Sequence, residues 1–246
     1  MPRSGGVVRG QDGAGMKIAV LSDIHANLQA LKAVLRDSEA QRVDEYWLLG
    51  DYVDYGASAK ETVSLLSSIG ARHIIAGNHD ACLYDPYVRC SATPHGKKSY
   101  EYTKRVVEDD PQSFEWLKSI AHVPSALITE EKTLLIHGTP ADPYWGKIQP
   151  GDDMDILFEE MERRNVDRML IGHSHVSFML THQGRTIINP GSVGQPRNGC
   201  PDAAYAILEG DAVTFRRVKY DVGAAADEIK KAGLPEYLWQ RLYIGS

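Results

Sequence analysis

The sequence predicts an α/β fold with a parallel sheet, and three observations carry that reading. Short, continuously apolar runs recur, among them Ile18-Ala19-Val20-Leu21 and Tyr46-Trp47-Leu48-Leu49, the texture of strands buried on both faces. Amphipathic stretches lie between them, and strands alternating with helices argue for parallel pairing through right-handed crossovers. Chemically capable polar residues stand directly after the apolar runs: Asp23 and His25, Asp51, Asn78 and His79, His137, then His173 and His175. The carboxyl ends of strands are where open α/β sheets bind ligands.

In chain order, residues 1–15 are Gly-rich and aperiodic and read as a flexible tail, leaving 16–246 as a single domain. A strand over 17–21 leads through Ser22-Asp23-Ile24-His25-Ala26-Asn27 into a helix with Leu28, Leu31, Val34 and Leu35 on one stripe. Asn27 reads as its N-cap. The strand 46–49 is followed by a helix over 59–69 that Gly70 ends. A third strand covers 73–76. Residues 81–122 break the rhythm with two helical stretches, 97–108 and 111–120, and read as a helical insertion or lid. Strands return at 125–128 and 133–136, a helix carries Met154, Leu157, Phe158 and Met161, and 168–171 is a further buried strand. After His175 the short runs 176–181, 186–189, 204–208 and 213–220, punctuated by Gln183-Gly184 and Gly210-Asp211, predict antiparallel hairpins. Two helices, 223–232 and 235–242, close the chain.

A chain of 246 residues with net charge −6 buries a full core but lacks the basic footprint for duplex nucleic acid or an anionic membrane. No apolar run reaches the roughly 18 residues a membrane span needs, and the N-terminus lacks the apolar segment of a secretory signal. Cys82, Cys90 and Cys200 fit no zinc or redox spacing, so they read as reduced thiols of a cytoplasmic protein. Nothing in the sequence speaks to oligomeric state.

The donors at the strand ends are oxygen and imidazole with no thiolate, a set suited to Mn²⁺, Fe or Zn²⁺. Seven such side chains exceed the needs of one ion and suit two divalent ions sharing a carboxylate. Taken singly, Gly50-Asp51 and Gly77-Asn78 are ordinary turns and His137 an ordinary core histidine. Their joint occurrence at five strand ends is what points to a metal site. His73, His95, His122 and His182 lie outside the motifs and read as structural or surface residues, His95 least securely because it falls in the insertion.

The ordered set Asp23-x-His25, Gly50-Asp51-x-x-Asp54, Gly77-Asn78-His79-Asp80, His137-Gly138 and Gly172-His173-x-His175 resembles the calcineurin-like metallophosphoesterases, and most of all their small prokaryotic phosphodiesterases. That resemblance implies an αββα sandwich of two mixed sheets flanked by helices. It implies one metal held by Asp23, His25, Asp51 and His175, and another by Asp51, Asn78, His137 and His173. Hydroxide between them would attack a phosphodiester or phosphomonoester of a small substrate, nucleotides included. His79 would act as general acid oriented by Asp54, with Asn78, His79 and Arg197 binding substrate. Asn189–Arg197 resembles the same group, its glycines letting backbone N–H groups approach an anion.

Protein Ser/Thr phosphatases share part of the set but carry an arginine where Tyr55 stands, and lack the Gly-His-x-His motif. Exonucleases of the superfamily carry extra DNA-binding parts, and a catalytically silent scaffold is expected to lose His79. The sequence also lacks a Gly-x-Ser-x-Gly elbow, a P-loop and a dinucleotide fingerprint.

Overall fold

The computed structural model describes residues 15–91, 93–121 and 126–246. The tail expected over 1–15, apart from Gly15, and His122 lie outside them. Strand β1 (Lys17–Leu21) runs into α1 (Leu28–Ala40). The Asn27 side chain accepts the Ala30 N–H at 3.1 Å as the expected cap, while its amide donates to the Gly194 carbonyl at 2.9 Å. Strand β2 (Glu45–Leu48), helix α2 (Ala59–Ser68) and the two-residue β3 (His73–Ile74) complete a parallel β1-β2-β3 unit, with Val20 opposite Trp47 and Leu48 opposite Ile74.

A one-turn helix, α3 (Asn78–Ala81), follows, unforeseen because four residues carry no periodicity. The insertion is helical as expected, α4 (Pro94–Glu108) and α5 (Pro111–Ala121). Its Val107, Leu117 and Ile120 join the core with Ala59, Val63 and Leu66 of α2.

Strands β4 (Ala126–Ile128) and β5 (Thr133–Ile136), helix α6 (Asp155–Arg163), and strands β6 (Arg168–Leu170), β7 (Phe178–His182) and β8 (Arg185–Asn189) make the second sheet. Strands β9 (Ala203–Glu209) and β10 (Ala212–Val218) return to the first. Helix α7 (Val222–Lys231), helix α8 (Glu236–Gln240) and a 3₁₀ turn (Arg241–Tyr243) end the chain. The strand orders are β10-β9-β1-β2-β3 and β4-β5-β6-β8-β7. Both expected hairpins, β7–β8 and β9–β10, are antiparallel.

Alternation along the strands builds the layers. Val20, Trp47 and Ile18 of the first sheet meet Leu135, Leu170 and Ile188 of the second in a dry seam. The opposite faces pack on helices, Ala19, Leu21 and Leu48 with α1 and α2, and Leu134, Ile136 and Met169 with α6. Each buried aliphatic side chain contributes about 1.5–3 kcal/mol. This is the αββα sandwich, and it brings the carboxyl ends of β1, β2, β5 and β6 to one edge of the seam.

The cysteine expectation needs correction. The turns after α3, with Asp85 N–H donating to the Ala81 carbonyl and Val88 N–H to that of Asp85, fold the chain back on itself. Cys82 and Cys90 come to a Cα separation of 5.1 Å and are disulfide-bonded, while Cys200 is free. That distance suits a disulfide, but nothing in the eight-residue spacing announces the turns that create it.

Candidate metal centre

Every residue singled out at a strand end arrives at the same place. Asp23, His25 and His175 form one buried trio whose donor atoms all lie within 4.8 Å of one another, and Asp51, His137 and His173 form another. Asp51 reaches both. Its Oδ2 lies 3.7 Å from His25 Nε2 and 3.2 Å from His137 Nε2, and its Oδ1 accepts the His79 backbone N–H at 2.9 Å. Asn78 is fully buried beside them with neither amide atom partnered.

The loops that deliver these groups adopt backbone conformations that non-glycine residues avoid. Asp23, His25, Asp51, Asp54, His173 and His175 all have φ between 49° and 74°. Each such residue costs about 1–2 kcal/mol, and such strain gathers at functional sites. Cross-loop bonds hold it in place. His25 N–H donates to the Asp51 carbonyl at 2.9 Å, Gly172 N–H to that of His137 at 2.9 Å, and Val193 N–H to that of Ser22 at 3.0 Å.

Three imidazoles are oriented by backbone carbonyls. Nδ1 of His25, His137 and His175 faces the carbonyls of Val53 (3.1 Å), Leu49 (2.7 Å) and Gln195 (2.6 Å). A carbonyl only accepts, so Nδ1 carries a proton in all three, and in neutral His25 and His175 Nε2 keeps its lone pair. His25 Nε2 and His175 Nε2 face each other at 3.3 Å. Burial lowers the pKa of both histidines, so neither Nε2 readily takes a proton at neutral pH. Two lone pairs at that distance call for a cation between them, with Asp23 Oδ1 3.1 Å from His175 Nε2 to complete its shell. The donor set therefore fits metal ions.

Burial works to raise Asp23 and Asp51, but the histidines around them, led by His175 and His137 respectively, together outweigh it and both stay below the ordinary carboxylate value. Burial lowers His137, yet the Asp51 charge lifts it to about 9, so without a metal its Nε2 holds a proton against Asp51 that a bound cation would displace. Burial and the neighbouring His137 push His173 down to about 3.

His79 stands apart from both trios. Its Nδ1 meets Asp54 Oδ2 at 2.7 Å. Burial alone would lower its pKa, but the Asp51 charge and the Asp54 hydrogen bond raise it above the ordinary value. Tyr55 lies against it, with ring centres 4.7 Å apart. Arg197 is anchored by its N–H to the His175 carbonyl at 3.3 Å, and its buried Nε has no partner.

The expectation that the glycines of Asn189–Arg197 open backbone N–H groups to an anion is corrected for both, since Gly191 N–H donates to Asn189 Oδ1 at 2.9 Å and Gly194 N–H to the Asp23 carbonyl at 3.0 Å. A Cβ on Gly194 would overlap the Ile24 carbonyl, and one on Gly191 would overlap Ser177 Oγ, so both glycines serve loop-on-loop packing. His73 packs against Trp47, His95 against Tyr237 and His182 against Phe158.

Two residues escaped sequence reasoning. Asp80 accepts the N–H groups of Asp51 (2.7 Å), Tyr52 (2.9 Å) and Gly77 (2.9 Å), riveting two ligand loops together. Burial and Asp51 push it up to about 7. Its place beside His79 was the available signal. Trp145, eight residues past His137, faces His173 at 5.6 Å between ring centres and offered none.

The family model for the calcineurin-like phosphoesterase superfamily domain matches residues 16–212. An uncharacterized protein of Methanocaldococcus jannaschii is 34% identical over 93% of this chain and 98% of its own length. A metallophosphoesterase structure from Sphaerobacter thermophilus shares 35% identity and superposes with a TM-score of 0.78 over 94% of this chain and all of that one, 100%. A hypothetical protein from Pyrococcus horikoshii, at 22% identity, shares the fold with a TM-score of 0.80, over 94% of this chain and 99% of that one. A symmetrical bis(5'-nucleosyl)-tetraphosphatase of Pseudomonas putida is 35% identical over 109 residues, 42% of this chain and 36% of that protein.

Proposed function

This chain belongs to the calcineurin-like phosphoesterase superfamily and is a metal-dependent phosphoric ester hydrolase, and we propose that it hydrolyses phosphodiester or phosphomonoester bonds of a small, phosphate-bearing molecule. The observation that carries the reading is the pair of opposed Nε2 lone pairs on His25 and His175, 3.3 Å apart with both Nδ1 atoms committed to carbonyls.

Asp23, His25 and His175 would hold one divalent ion and Asn78, His137 and His173 a second, with Asp51 shared between them. Mn²⁺, Fe and Zn²⁺ all suit these ligands. Bound there, the ions would supply Lewis-acid chemistry, activating water and neutralising phosphoryl charge. The chain's own residues supply the rest. His79 is kept protonated by Asp54 and Asp51, and its Nε2 gives a proton to the departing oxygen. Asp54 fixes the ring by taking Nδ1–H. Asn78 and Arg197 bear donors that grip phosphoryl oxygens as charge spreads over them. No protein nucleophile is needed.

The partial likeness to a tetraphosphatase keeps nucleotides among the candidate substrates. Among the described residues no helix is long and apolar enough to cross a membrane. Elemental analysis of the purified protein, followed by a panel of phosphomono- and diesters with that metal restored, tests the proposal. Two metal equivalents per chain and turnover abolished by a chelator are expected. Full turnover in metal-free protein contradicts it.

A further inference from the structure

Tyr55 and Trp145 border His79 with aromatic rings on two sides. Tyr55 lies toward His25, its ring centre 4.7 Å from each imidazole, and packs into the apolar cluster of Ile229, Leu234, Leu238 and Leu242, which closes that side. Trp145 lies toward His173, its ring centre 6.4 Å from that of His79 and 5.6 Å from that of His173. Trp145 is half-buried and Arg89 beyond it is exposed, so this side opens to solvent. Arg89 seats its guanidinium 5.2 Å from the centre of the Trp145 ring. A guanidinium stacked on indole keeps its N–H fork free in its own plane, and among the described residues no hydrogen bond or ion pair engages that fork.

Both side chains stand on short, tied segments. Trp145 N–H donates to Asp142 Oδ1 at 3.0 Å, and in the same turn Gly138 N–H donates to the Pro143 carbonyl at 2.7 Å and Thr139 N–H to that of Asp142 at 2.9 Å, so the ring is placed by the residues that directly follow His137. Arg89 precedes Cys90, whose disulfide to Cys82 returns the chain to the end of α3, the helix that carries Asn78 and His79. Trp145 also shares a mark of the site residues. Its Nε1 is buried with no acceptor among the described residues, as are Asn78 Nδ2 and Arg197 Nε. Buried donors almost always have a partner, so what the site binds is expected to supply one.

We propose that Trp145 and Arg89 determine specificity as one wall of the site: the departing part of the ester lies along the Trp145 ring, and Arg89 takes a negative charge which that part carries. The inference rests on the phosphoesterase reading above and narrows its substrates to esters whose departing group is itself an anion, bearing a carboxylate or a further phosphate. His79 gives its proton to the departing oxygen, so whatever is attached to that oxygen runs past His79, and the Trp145 side is the one open to it. The planar fork of Arg89 meets a carboxylate or phosphate with two parallel N–H bonds. The Cys82–Cys90 bond keeps Arg89 on its seat.

An assay that varies only the charge of the departing group tests this. Mn²⁺-loaded protein is given 4-carboxyphenyl phosphate and its neutral isostere 4-carbamoylphenyl phosphate, each also as the methyl diester, and the ratio of kcat/KM, charged over neutral, is read. That ratio should fall about fivefold in Arg89→Gln, the worth of one exposed charge pair, at unchanged metal content. Trp145→Leu, which removes the seat, should lower it likewise, Trp145→Phe should restore it, and Cys90→Ser should lower it too. A ratio unchanged in Arg89→Gln overturns the wall. A fall in Trp145→Leu that Trp145→Phe does not restore overturns the seat, and an unchanged ratio in Cys90→Ser overturns the part given to the disulfide. Calorimetric affinity for 4-carboxybenzylphosphonate, relative to its carbamoyl isostere, reads the same contact without turnover. If no ester turns over while that binding preference falls in Arg89→Gln, the phosphoesterase reading is overturned and the wall stands. If the esters turn over and neither ratio nor preference moves, the wall is overturned and the phosphoesterase reading stands.

Discussion

Gly77→Ala is expected to cost far more function than stability. A Cβ on Gly77 would lie 2.7 Å from Asp51 Cγ and 2.5 Å from Asp51 N, and would overlap Oδ1. Carbon atoms settle about 3.5–4.0 Å apart, so the carboxylate has to withdraw by roughly 1 Å. Backbone strain is not the cause, because Gly77 has φ −89° and ψ 179°, extended backbone open to any residue. The withdrawal breaks the Oδ1 bond to His79 N–H at 2.9 Å and carries Oδ2 away from His25 and His137. Overpacking of this kind costs about 1–3 kcal/mol, whereas a misplacement of about 1 Å at reacting groups costs about 10²-fold in rate. The assay is metal content after gel filtration, turnover of a p-nitrophenyl phosphodiester with Mn²⁺ added, and the melting temperature. Gly70→Ala is the control. Gly70 has φ +64° with nothing within 4 Å of its Cβ position, so that variant should lose about 1–2 kcal/mol while keeping metal and rate. A Gly77→Ala protein with its full metal content and turnover within about threefold of wild type, far short of the loss expected from misplacement, would refute the placement of Asp51 as the shared ligand.

Three further outcomes follow from the same geometry. His79→Asn should slow hydrolysis of esters with poor leaving groups by about 10²–10⁴-fold and p-nitrophenyl diesters far less, at unchanged metal content; equal losses on both rule out the acid role. Asp51→Asn should lose metal together with activity, and full metal retention by that variant would contradict the bridge. Asp37 accepts Arg216 Nη2 at 2.8 Å and Nε at 3.0 Å and the Tyr205 hydroxyl at 2.6 Å, and the Arg216 bonds, outweighing partial burial, hold its pKa below 3.8. With the folded pKa below the unfolded one, the stability it contributes is present above about pH 4 and lost as pH falls through the folded value. Asp37→Asn should therefore lower the urea midpoint by the equivalent of about 1 kcal/mol at pH 7, a figure reduced for partial exposure, and the gap to wild type should shrink at pH 3; an equal gap at both pH values counts against the ion pair.

The convergence of the candidate ligands was legible because each donor follows an apolar run that reads as a buried strand, and strand ends in such sheets converge. Asp80 was not, although it sits in the same motif as His79. Its role needs the N–H groups of Asp51 and Tyr52, which reach it only after β2 and α3 are neighbours. The Cys82–Cys90 bond is hidden for the same reason, since the turns after α3 create it. The site residues also contradict local preference. Aspartate and histidine enter the left-handed backbone found at Asp23, His25, Asp51, His173 and His175 more often than most residues, yet far less readily than glycine. A chain selected for stability alone would favour glycine there, because glycine relieves the strain. It would also delete the donor. Strain of about 1–2 kcal/mol at each position therefore marks where local and global requirements part, and that parting coincides with the residues proposed to hold the metal ions.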